Sequence, residues 1–346
     1  MPYDEGSWEY YWLLSKKKFK KKFKKKINEI KVHKDQTNGM VLPPFRPILS
    51  AIRTCAYNVA KFFVPILKEI TINEYTVKDS FSFAEEIVEQ NANLYMVSFD
   101  VESLFTNIPL DETIDICVDR IYKRKKKVKG LLKRHFKQLL IHATKSSCFL
   151  FNGTYYCQID GVAMGSPLGP TLANIFLAHY EEKWLNDCPV QFKPQLYRRY
   201  VDDIFLLFDK RDHVKKFLRY MNSRHKNMKF TYEEEQNDIL PFLDIKITRD
   251  GDRFTTSVYR KKTFSGVYLN YGSFLPLDYK KGLIATLLHR TYAICSDYRS
   301  LHEEINRLKV IWQKNSFPLF FIDKCVKKFL DKLFVKKTSN SSQKPN

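Results

Sequence analysis

The chain has 346 residues, of which 44% are hydrophobic and 15% are aromatic, and its formal net charge is +21. This hydrophobic content is too high for a disordered chain, and the length suffices for about two domains. The excess of positive charge favours a polyanionic partner, because each neutralised phosphate releases condensed counterions. No apolar run nears the roughly 18 residues of a membrane helix, so we expect no membrane partner.

The excess charge is densest in residues 16–26, which read KKKFKKKFKKK. A solvated tail, a nuclear-import signal and a non-specific nucleic-acid grip all fit this run. The seven cysteines form no CxxC pair and no zinc-type Cys/His array, which predicts free thiols in a reducing compartment. We therefore expect a nuclear or cytoplasmic protein, with the nucleus favoured.

The predicted elements begin with helix-spaced apolar residues over 51–70, followed by a buried strand over 94–101 that ends near Asp100. Asp111 is expected to cap a helix that runs through Tyr122, and a second helix is expected over about 131–143. Residues 148–157, CFLFNGTYYC, predict a hairpin, because Asn-Gly tolerates the positive φ angles of a type I′ turn.

Ser166 and Pro167 predict the start of a further helix, with serine as N-cap and proline in the first turn. Residues 196–208, LYRRYVDDIFLLF, predict a hairpin with two aspartates at its tip. A helix near 212–223, a strand KFTYEEE and a hairpin folded at 250–252 follow. After Tyr271 only helices are expected, and they cover about 278–293, 297–313 and 318–334.

Asp202 and Asp203 are the sharpest chemical feature of the sequence. Adjacent carboxylates at a hairpin tip repel each other unless a cation neutralises them. An isolated Asp-Asp pair usually lies on the surface without a function, but the flanking residues here are too apolar for a solvated loop. Asp100 adds a third carboxylate at the end of an apolar strand. The alternative roles for Asp100 are a helix N-cap and a buried ion pair.

Three carboxylates on neighbouring strands suit Mg²⁺, which prefers oxygen ligands and keeps water and substrate phosphates in its other positions. Two such ions can activate a 3′-hydroxyl and stabilise a leaving pyrophosphate. The chain contains no GxxxxGK[ST] and no GxGxxG, so the P-loop and Rossmann phosphate cradles are excluded. Gly161, Gly165 and Gly169 permit close backbone approach to another polymer, or simply a turn before a core helix.

Three segments in order, SFDVESLFTNIP, GVAMGSPLGPTLANIF and YRRYVDDIFLLF, resemble motifs A, B and C of reverse transcriptases. The wording FDVESLFTNIPLDETI, MGSPLGP, FTYEEEQNDILPFLDIKI and KKGLIATLLHRTYAICSD is similar to the Penelope-like retroelements. IKVHK and PFRPILSAIRTCAYNVAKFFVPIL resemble the fingers segment of that family. The resemblance covers about residues 27–335.

The resemblance implies an α+β right-hand polymerase with fingers, an antiparallel-sheet palm and a helical thumb. The expected parts are a basic tail (1–26), partial fingers (27–93), the palm (94–263), the thumb (264–335) and a disordered tail (336–346). The implied reaction is template-directed addition of dNTPs to a primer 3′-hydroxyl, with an RNA template, a DNA primer and two Mg²⁺ ions. Mn²⁺ is an alternative metal.

By the same resemblance, Asp100 and Asp202 are the main metal ligands, joined by the backbone carbonyl of Val101 and completed by Asp203. Phe105 corresponds to a steric gate that excludes a 2′-hydroxyl, or else to a plain core residue. The residues implied in nucleotide binding are Arg46, Lys34, Gly165, Ser166 and Lys229.

An alternative is that Arg46 is an ordinary surface residue. The proposed role of Lys229 is to protonate pyrophosphate, and Lys226 lies equally close in sequence for this role. The residues implied along the template–primer duplex are Lys261, Lys262, Tyr268, Lys280 and Lys281, each of which also fits a solvated face.

The chain departs from the Penelope-like pattern at Ile30-Lys31, where the family carries a proline, and no GIY-YIG endonuclease pattern follows Phe334. Two alternatives stay open at this point. One is an RNA-dependent RNA polymerase, against which Phe105 speaks, and the other is a non-catalytic, domesticated nucleic-acid binder.

Overall fold

The computed structural model describes residues 51–52, 54–123, 125–145, 148–151, 154–157 and 161–341. It divides into two compact units. Unit 1 comprises the chain up to Thr76, Asp100–Lys193 and Lys215–Thr231, and unit 2 comprises Val77–Phe99, Pro194–Val214 and the chain from Tyr232 onward. The expected basic tail, Lys34, Arg46 and the Asn152-Gly153 turn lie outside the described residues.

The helices are α1 (Cys55–Leu67), α2 (Ser80–Val88), α3 (Leu104–Asn107), α4 (Leu110–Tyr122), α5 (Lys133–Lys145), α6 (Gly169–Asn186), α7 (Arg211–Arg224), α8 (Leu277–Ile294), α9 (Tyr298–Lys314) and α10 (Leu319–Ser341). The strands are β1 (Tyr95–Val101), β2 (Lys127–Val128), β3 (Leu131–Leu132), β4 (Cys148–Phe151), β5 (Thr154–Cys157), β6 (Leu196–Tyr200), β7 (Asp203–Phe208), β8 (Phe230–Glu234), β9 (Ile239–Phe242), β10 (Ile245–Asp250) and β11 (Arg253–Val258). Two short 3-10 helices cover Lys68–Ile70 and Val190–Phe192.

Unit 1 has a helical core in which aromatic side chains join α1, α4 and α5. The ring of Phe136 lies edge-on to Phe63, with 4.8 Å between centroids, and edge-on to Tyr122 at 5.4 Å. Phe63 and Phe136 are both fully buried. Strands β4 and β5 pair antiparallel, with Cys148 opposite Cys157, so the two arms of the expected hairpin are confirmed.

The starts of two unit 1 helices differ from the predictions. Helix α4 begins at Leu110 with Pro109 as N-cap, so Asp111 is not the cap. It lies in the first turn, where a carboxylate is favoured by the positive end of the helix dipole.

Helix α6 begins at Gly169 rather than at Ser166, and its N-cap is Leu168. The reason is a tight turn ahead of the helix. The Ser166 N–H donates to the Ala163 carbonyl at 3.1 Å, and the Gly169 N–H donates to the Ser166 carbonyl at 3.0 Å.

Most of the strand residues belong to unit 2. A four-stranded sheet has the order β6-β7-β1-β8, and a three-stranded sheet has the order β11-β10-β9. Helix α2 packs its buried face against these strands through Phe83, whose ring lies 5.2 Å from Phe205 and 4.8 Å from Phe242. Helices and antiparallel strands thus form the expected α+β architecture.

Unit 2 also contains the three C-terminal helices α8, α9 and α10, within a residue or two of the predicted starts. Their core surrounds the fully buried Trp312 and includes Ile284, Leu288 and Ile322. Helix α10 continues to Ser341, into the segment 336–346 that was expected to be disordered. Once a helix is nucleated, each added residue gains a backbone hydrogen bond. No helix among the described residues is long and apolar enough to span a membrane.

Candidate active site

The aspartate pair lies at the tip of the β6–β7 hairpin, as the sequence predicts. Tyr200 and Asp203 are directly opposite each other, so Val201 and Asp202 form a two-residue loop. Beyond Asp203 every residue of β7, from Ile204 to Phe208, is buried. Asp203 is exposed, and Asp202 is half-buried. Two adjacent carboxylates with contact to solvent therefore lie at the start of a buried strand.

Asp100 and Val101 are the last two residues of β1, which neighbours β7 in the strand order of the sheet. Asp100 is exposed, whereas Val101 is 1% exposed. By the division of the chain, Asp100 and Val101 belong to unit 1, and the aspartate pair belongs to unit 2.

The donor chemistry of each aspartate suits a magnesium ion. Each aspartate offers carboxylate oxygens, the ligand type that Mg²⁺ prefers, and their contact with solvent leaves room for the water and phosphate ligands that the ion retains. Within the described part of the chain, no group of three or more His, Cys, Asp or Glu side chains is arranged as a metal site.

The segments that resemble motifs A and B meet in unit 1. The Val162 N–H donates to the carbonyl of Phe105 at 2.6 Å. A Cβ at Gly161 would lie 2.7 Å from the Thr106 carbonyl oxygen, and one at Gly169 would lie 3.8 Å from Cδ1 of Phe105. The structure therefore brings the expected gate residue, which is half-buried, against the glycine-rich segment.

Gly165 and Ser166, the expected nucleotide contacts, lie in the turn between this junction and α6. Gly165 has a φ of +106°, which only glycine adopts readily, and it is exposed. The hydroxyl oxygen of Ser166 accepts from the Leu168 N–H at 3.3 Å.

Lys229 lies just before β8 and is exposed. Its backbone carbonyl accepts from the N–H of Glu102 at 2.8 Å. Glu102 is two residues after Asp100, so this bond places Lys229 beside the segment that resembles motif A. Lys226 is also exposed, and among the described residues no backbone hydrogen bond joins it to this segment.

The residues expected along a nucleic-acid duplex fall into two groups. Lys261, Lys262 and Lys281 are exposed, and Lys281 pairs with Asp278 at 3.0 Å. Lys261 and Tyr268 line a cavity of about 280 Å³ together with Arg260 and Arg290.

Lys280 is instead 7% exposed, which is at odds with a role on an accessible surface. Its ammonium donates to the carbonyl of Ser273 at 2.9 Å and lies 4.9 Å from the centre of the Tyr271 ring.

Two polar groups near these segments were missed by sequence reasoning. Arg199 on β6 is fully buried, and its Nη1 donates to the Val201 carbonyl at 3.2 Å. Strand alternation places Arg198 and Arg199 on opposite sides of the strand, but it does not say which of the two is buried.

The second group joins α4 to α6 in unit 1. The hydroxyl of Tyr180 donates to Oε1 of Glu112, and Nε2 of His225 lies 3.4 Å from Oε2 of the same carboxylate. Burial, followed by the hydrogen bond to Glu112, raises the pKa of Tyr180 to about 12.

The sequence matches the reverse transcriptase (RNA-dependent DNA polymerase) family over residues 15–240, and the animal helix-turn-helix domain over residues 267–327. A telomerase reverse transcriptase from Oryza sativa subsp. japonica is 31% identical over 101 residues, which cover 26% of this chain and 8% of that relative.

Among solved structures, a telomerase from Candida albicans in complex with a fragment of telomeric RNA has a TM-score of 0.57 at 10% identity. The match covers 84% of this chain and 54% of the telomerase chain. An apo telomerase from Candida tropicalis has a TM-score of 0.50 at 13% identity, covering 80% and 51%. The chain thus spans about half the length of these solved relatives and a small part of the rice protein.

These likenesses confirm the expected right-hand polymerase fold. The family match covers more than half of the chain and includes Asp100, Asp202 and Asp203. The chain belongs to the reverse transcriptase family.

Proposed function

We propose that this chain is an RNA-directed DNA polymerase that adds dNTPs to the 3′-hydroxyl of a DNA primer on an RNA template. The observation that carries the proposal is the Asp202–Asp203 pair at the tip of a buried hairpin, in a chain that belongs to the reverse transcriptase family. The same pair of carboxylates on a structural hairpin would be a liability, because adjacent like charges repel.

We propose that Asp100, Asp202, Asp203 and the carbonyl of Val101 hold two Mg²⁺ ions, with Mn²⁺ as a substitute. When bound, the metal would activate the 3′-hydroxyl and stabilise the leaving pyrophosphate. The exposure of Asp100 and Asp203 supports this role, because the ion must remain open to substrate oxygens.

Other residues of the chain would position the nucleotide. Phe105 would exclude a 2′-hydroxyl, and the hydrogen bond from the Val162 N–H to its carbonyl supports a fixed backbone position for it. Gly165 and Ser166 would contact the incoming nucleotide, and Lys229 would protonate the leaving pyrophosphate. Arg46 and Lys34 would bind the triphosphate. The planar guanidinium of Arg46 can grip phosphate oxygens in a bidentate manner, and Lys34 would add a compact ammonium charge.

The exposed lysines Lys261, Lys262 and Lys281, with Tyr268, would contact the template–primer duplex. Their charge is suited to phosphate, which supplies the sequence-independent part of binding. Within the fold we propose fingers at 27–93, a palm at 94–263 and a thumb at 264–335. The basic segment 1–26 would form a tail that favours a nuclear location.

We further propose that the chain derives from a Penelope-like retroelement. The support is the similarity of four sequence segments, from FDVESLFTNIPLDETI to KKGLIATLLHRTYAICSD, to that family. This similarity extends well beyond the proposed catalytic aspartates.

The proposed activity is tested by primer extension with purified protein, an RNA template, a DNA primer, dNTPs and Mg²⁺ or Mn²⁺. Asp202→Asn removes the proposed ligand charge and should lower the rate at least about a hundredfold, as loss of one preorganised electrostatic group does. Asp209→Asn is the matched control, because Asp209 is exposed, directly follows the other end of β7, and accepts a hydrogen bond from the Gln195 side chain at 2.9 Å.

Extension by the parent and by Asp209→Asn, with loss in Asp202→Asn, supports the proposal. Duplex binding without synthesis by any of the three proteins would instead identify a non-catalytic nucleic-acid binder. Efficient incorporation of NTPs in place of dNTPs would identify an RNA-dependent RNA polymerase.

A further inference from the structure

The loop that carries Asp202 has an unfavourable backbone. Val201, its first residue, has a φ of +58°. Among the described residues Val201 is the only β-branched one with a positive φ. For a β-branched side chain this conformation is a steric outlier, because Cβ crowds the backbone. The turn is therefore not one that its own sequence prefers.

Another hairpin of unit 2 provides an internal reference. The β10–β11 loop also has two residues, Gly251 and Asp252, between the opposed pair Asp250 and Arg253. Its first loop residue has a φ of +60°, close to that of Val201, but it is a glycine. Glycine tolerates this φ without steric cost. A nearly equal φ at the first loop position is thus adopted by a suitable residue in one hairpin and by an unsuitable one in the hairpin that carries the aspartates.

A strained backbone persists only where the surrounding structure holds it in place. For Val201 the observed support is the buried guanidinium of Arg199. Nη1 of Arg199 donates to the Val201 carbonyl at 3.2 Å, and the backbone carbonyl of Arg199 accepts from the Val77 N–H at 2.8 Å. Arg199 is opposite Ile204, which is also fully buried. The arginine is therefore fixed in the core while one of its donors reaches the loop.

Holding this one carbonyl has consequences for the carboxylates. The peptide group is planar, so fixing the carbonyl of Val201 also fixes the N–H of Asp202 and the direction in which its Cα leaves the turn. A hydrogen bond from a charged donor is stronger than a neutral one, and the planar guanidinium holds its donors in a fixed geometry. The interaction thus suits a permanent support beneath a reactive turn.

We infer that Arg199 is a positioning residue, whose bond to the Val201 carbonyl holds the turn in the conformation that presents Asp202 and Asp203 to metal and substrate. This inference rests on the proposed polymerase function for its purpose. The structural claim concerns the turn itself, so it can be measured without catalysis.

The test compares Arg199→Lys in the parent with Arg199→Lys in a Val201→Gly background. Glycine removes the strain that the arginine is inferred to hold, so the second comparison should show a smaller effect. Arg198→Lys is the matched control, since Arg198 is adjacent on the same strand but binds Glu86, with its Nε 2.7 Å from the carboxylate.

The first readout is hydrogen–deuterium exchange of the peptide covering residues 199–205 in metal-free protein. Arg199→Lys should speed exchange at this turn about tenfold in the parent and less than about threefold in the Val201→Gly background, with the control unchanged. The second readout is primer extension, where kcat should fall about tenfold while the KM for dNTP changes less than about twofold.

Equal effects of Arg199→Lys in both backgrounds would overturn the inference, since the arginine would then act as a general core residue. Unfolding of the chain by Arg199→Lys in both backgrounds would overturn it in the same way. If the parent extends no primer, the proposed function fails, whereas the exchange experiment still decides whether Arg199 holds the turn.

Discussion

The backbone of Gly161 lies directly against the backbone of Thr106. A Cβ at Gly161 would come 2.7 Å from the carbonyl oxygen of Thr106 and 2.9 Å from its Cα, closer than real Cβ contacts allow. The adjacent Val162 N–H donates to Phe105, so two segments distant in sequence are joined backbone to backbone. Because rigid main-chain atoms form this contact, neither side can yield by rotating a side chain.

Gly161→Ala should therefore lower the free energy of unfolding by about 2–4 kcal/mol, through strain at its φ of +74° and the clash with Thr106. Urea unfolding measures this loss. Gly130→Ala is the control, because Gly130 has a φ of +80° but no atom within 4 Å of an added Cβ. It should lose only the conformational part, about 1 kcal/mol. Equal losses in the two variants would show that the contact with Thr106 has no energetic weight.

Phe105→Ala should weaken discrimination between dNTPs and NTPs. The proposed gate excludes the 2′-hydroxyl by the bulk of its ring, so its removal should raise the relative kcat/KM for NTPs by on the order of tenfold or more. Single-nucleotide incorporation with matched dNTP and NTP pairs measures the ratio. Phe192→Ala, which removes a half-buried ring packed 6.0 Å from Tyr220 in the same unit, should leave the ratio unchanged. If the ratio of kcat/KM for NTPs to that for dNTPs does not change in Phe105→Ala, Phe105 is a core residue and not a gate.

Lys229→Ala should slow the chemical step by about a hundredfold or more, the usual contribution of a positioned general acid. Lys226→Ala is the matched control, since it removes an exposed lysine three residues away without the neighbouring bond to Glu102. Rapid-quench measurement of nucleotide incorporation separates the chemical step from the release of products. A larger effect at Lys226 than at Lys229 would reverse the assignment.

Much of the local structure could be predicted because apolar residues follow the periods of helices and strands. The C-terminal helices are an example, since α8 covers Leu277–Ile294 against an expectation of 278–293. The hairpin of Asp202 and Asp203 was predictable for the same reason, as the segment IFLLF that follows the aspartates is apolar without interruption.

The sequence could not show which polar side chains turn inward. The segment YRRY contains two arginines, and the one that is buried, Arg199, depends on strand register and on neighbours distant in sequence. Lys280 illustrates the opposite error, because a lysine near a basic segment was expected on the surface and instead is bound to a loop carbonyl and a ring. The helix start at Gly169 was missed because turn hydrogen bonds ahead of the helix decide it.

The Tyr180–Glu112 bond, which joins α4 to α6, predicts a pH-dependent contribution to stability. The pKa of Tyr180 is raised from its ordinary value of 10.0 to about 12, chiefly by burial and then by Glu112. A group whose pKa is raised by folding stabilises the folded state fully below its unfolded pKa and loses that contribution as the pH rises through the folded value.

The difference in unfolding free energy between the parent and Tyr180→Phe should thus be constant below about pH 10 and should change between about pH 10 and 12. In that range the parent should lose stability relative to the variant, because unfolding releases a phenol that can ionise in water. Denaturant unfolding across this pH range measures the effect, with Tyr279→Phe as the control, since Tyr279 is 67% exposed. A Tyr180→Phe difference that stays constant up to pH 12 would mean that Tyr180 ionises as readily in the folded chain as in the unfolded one. Neither burial nor the bond to Glu112 would then favour the protonated phenol in the folded chain.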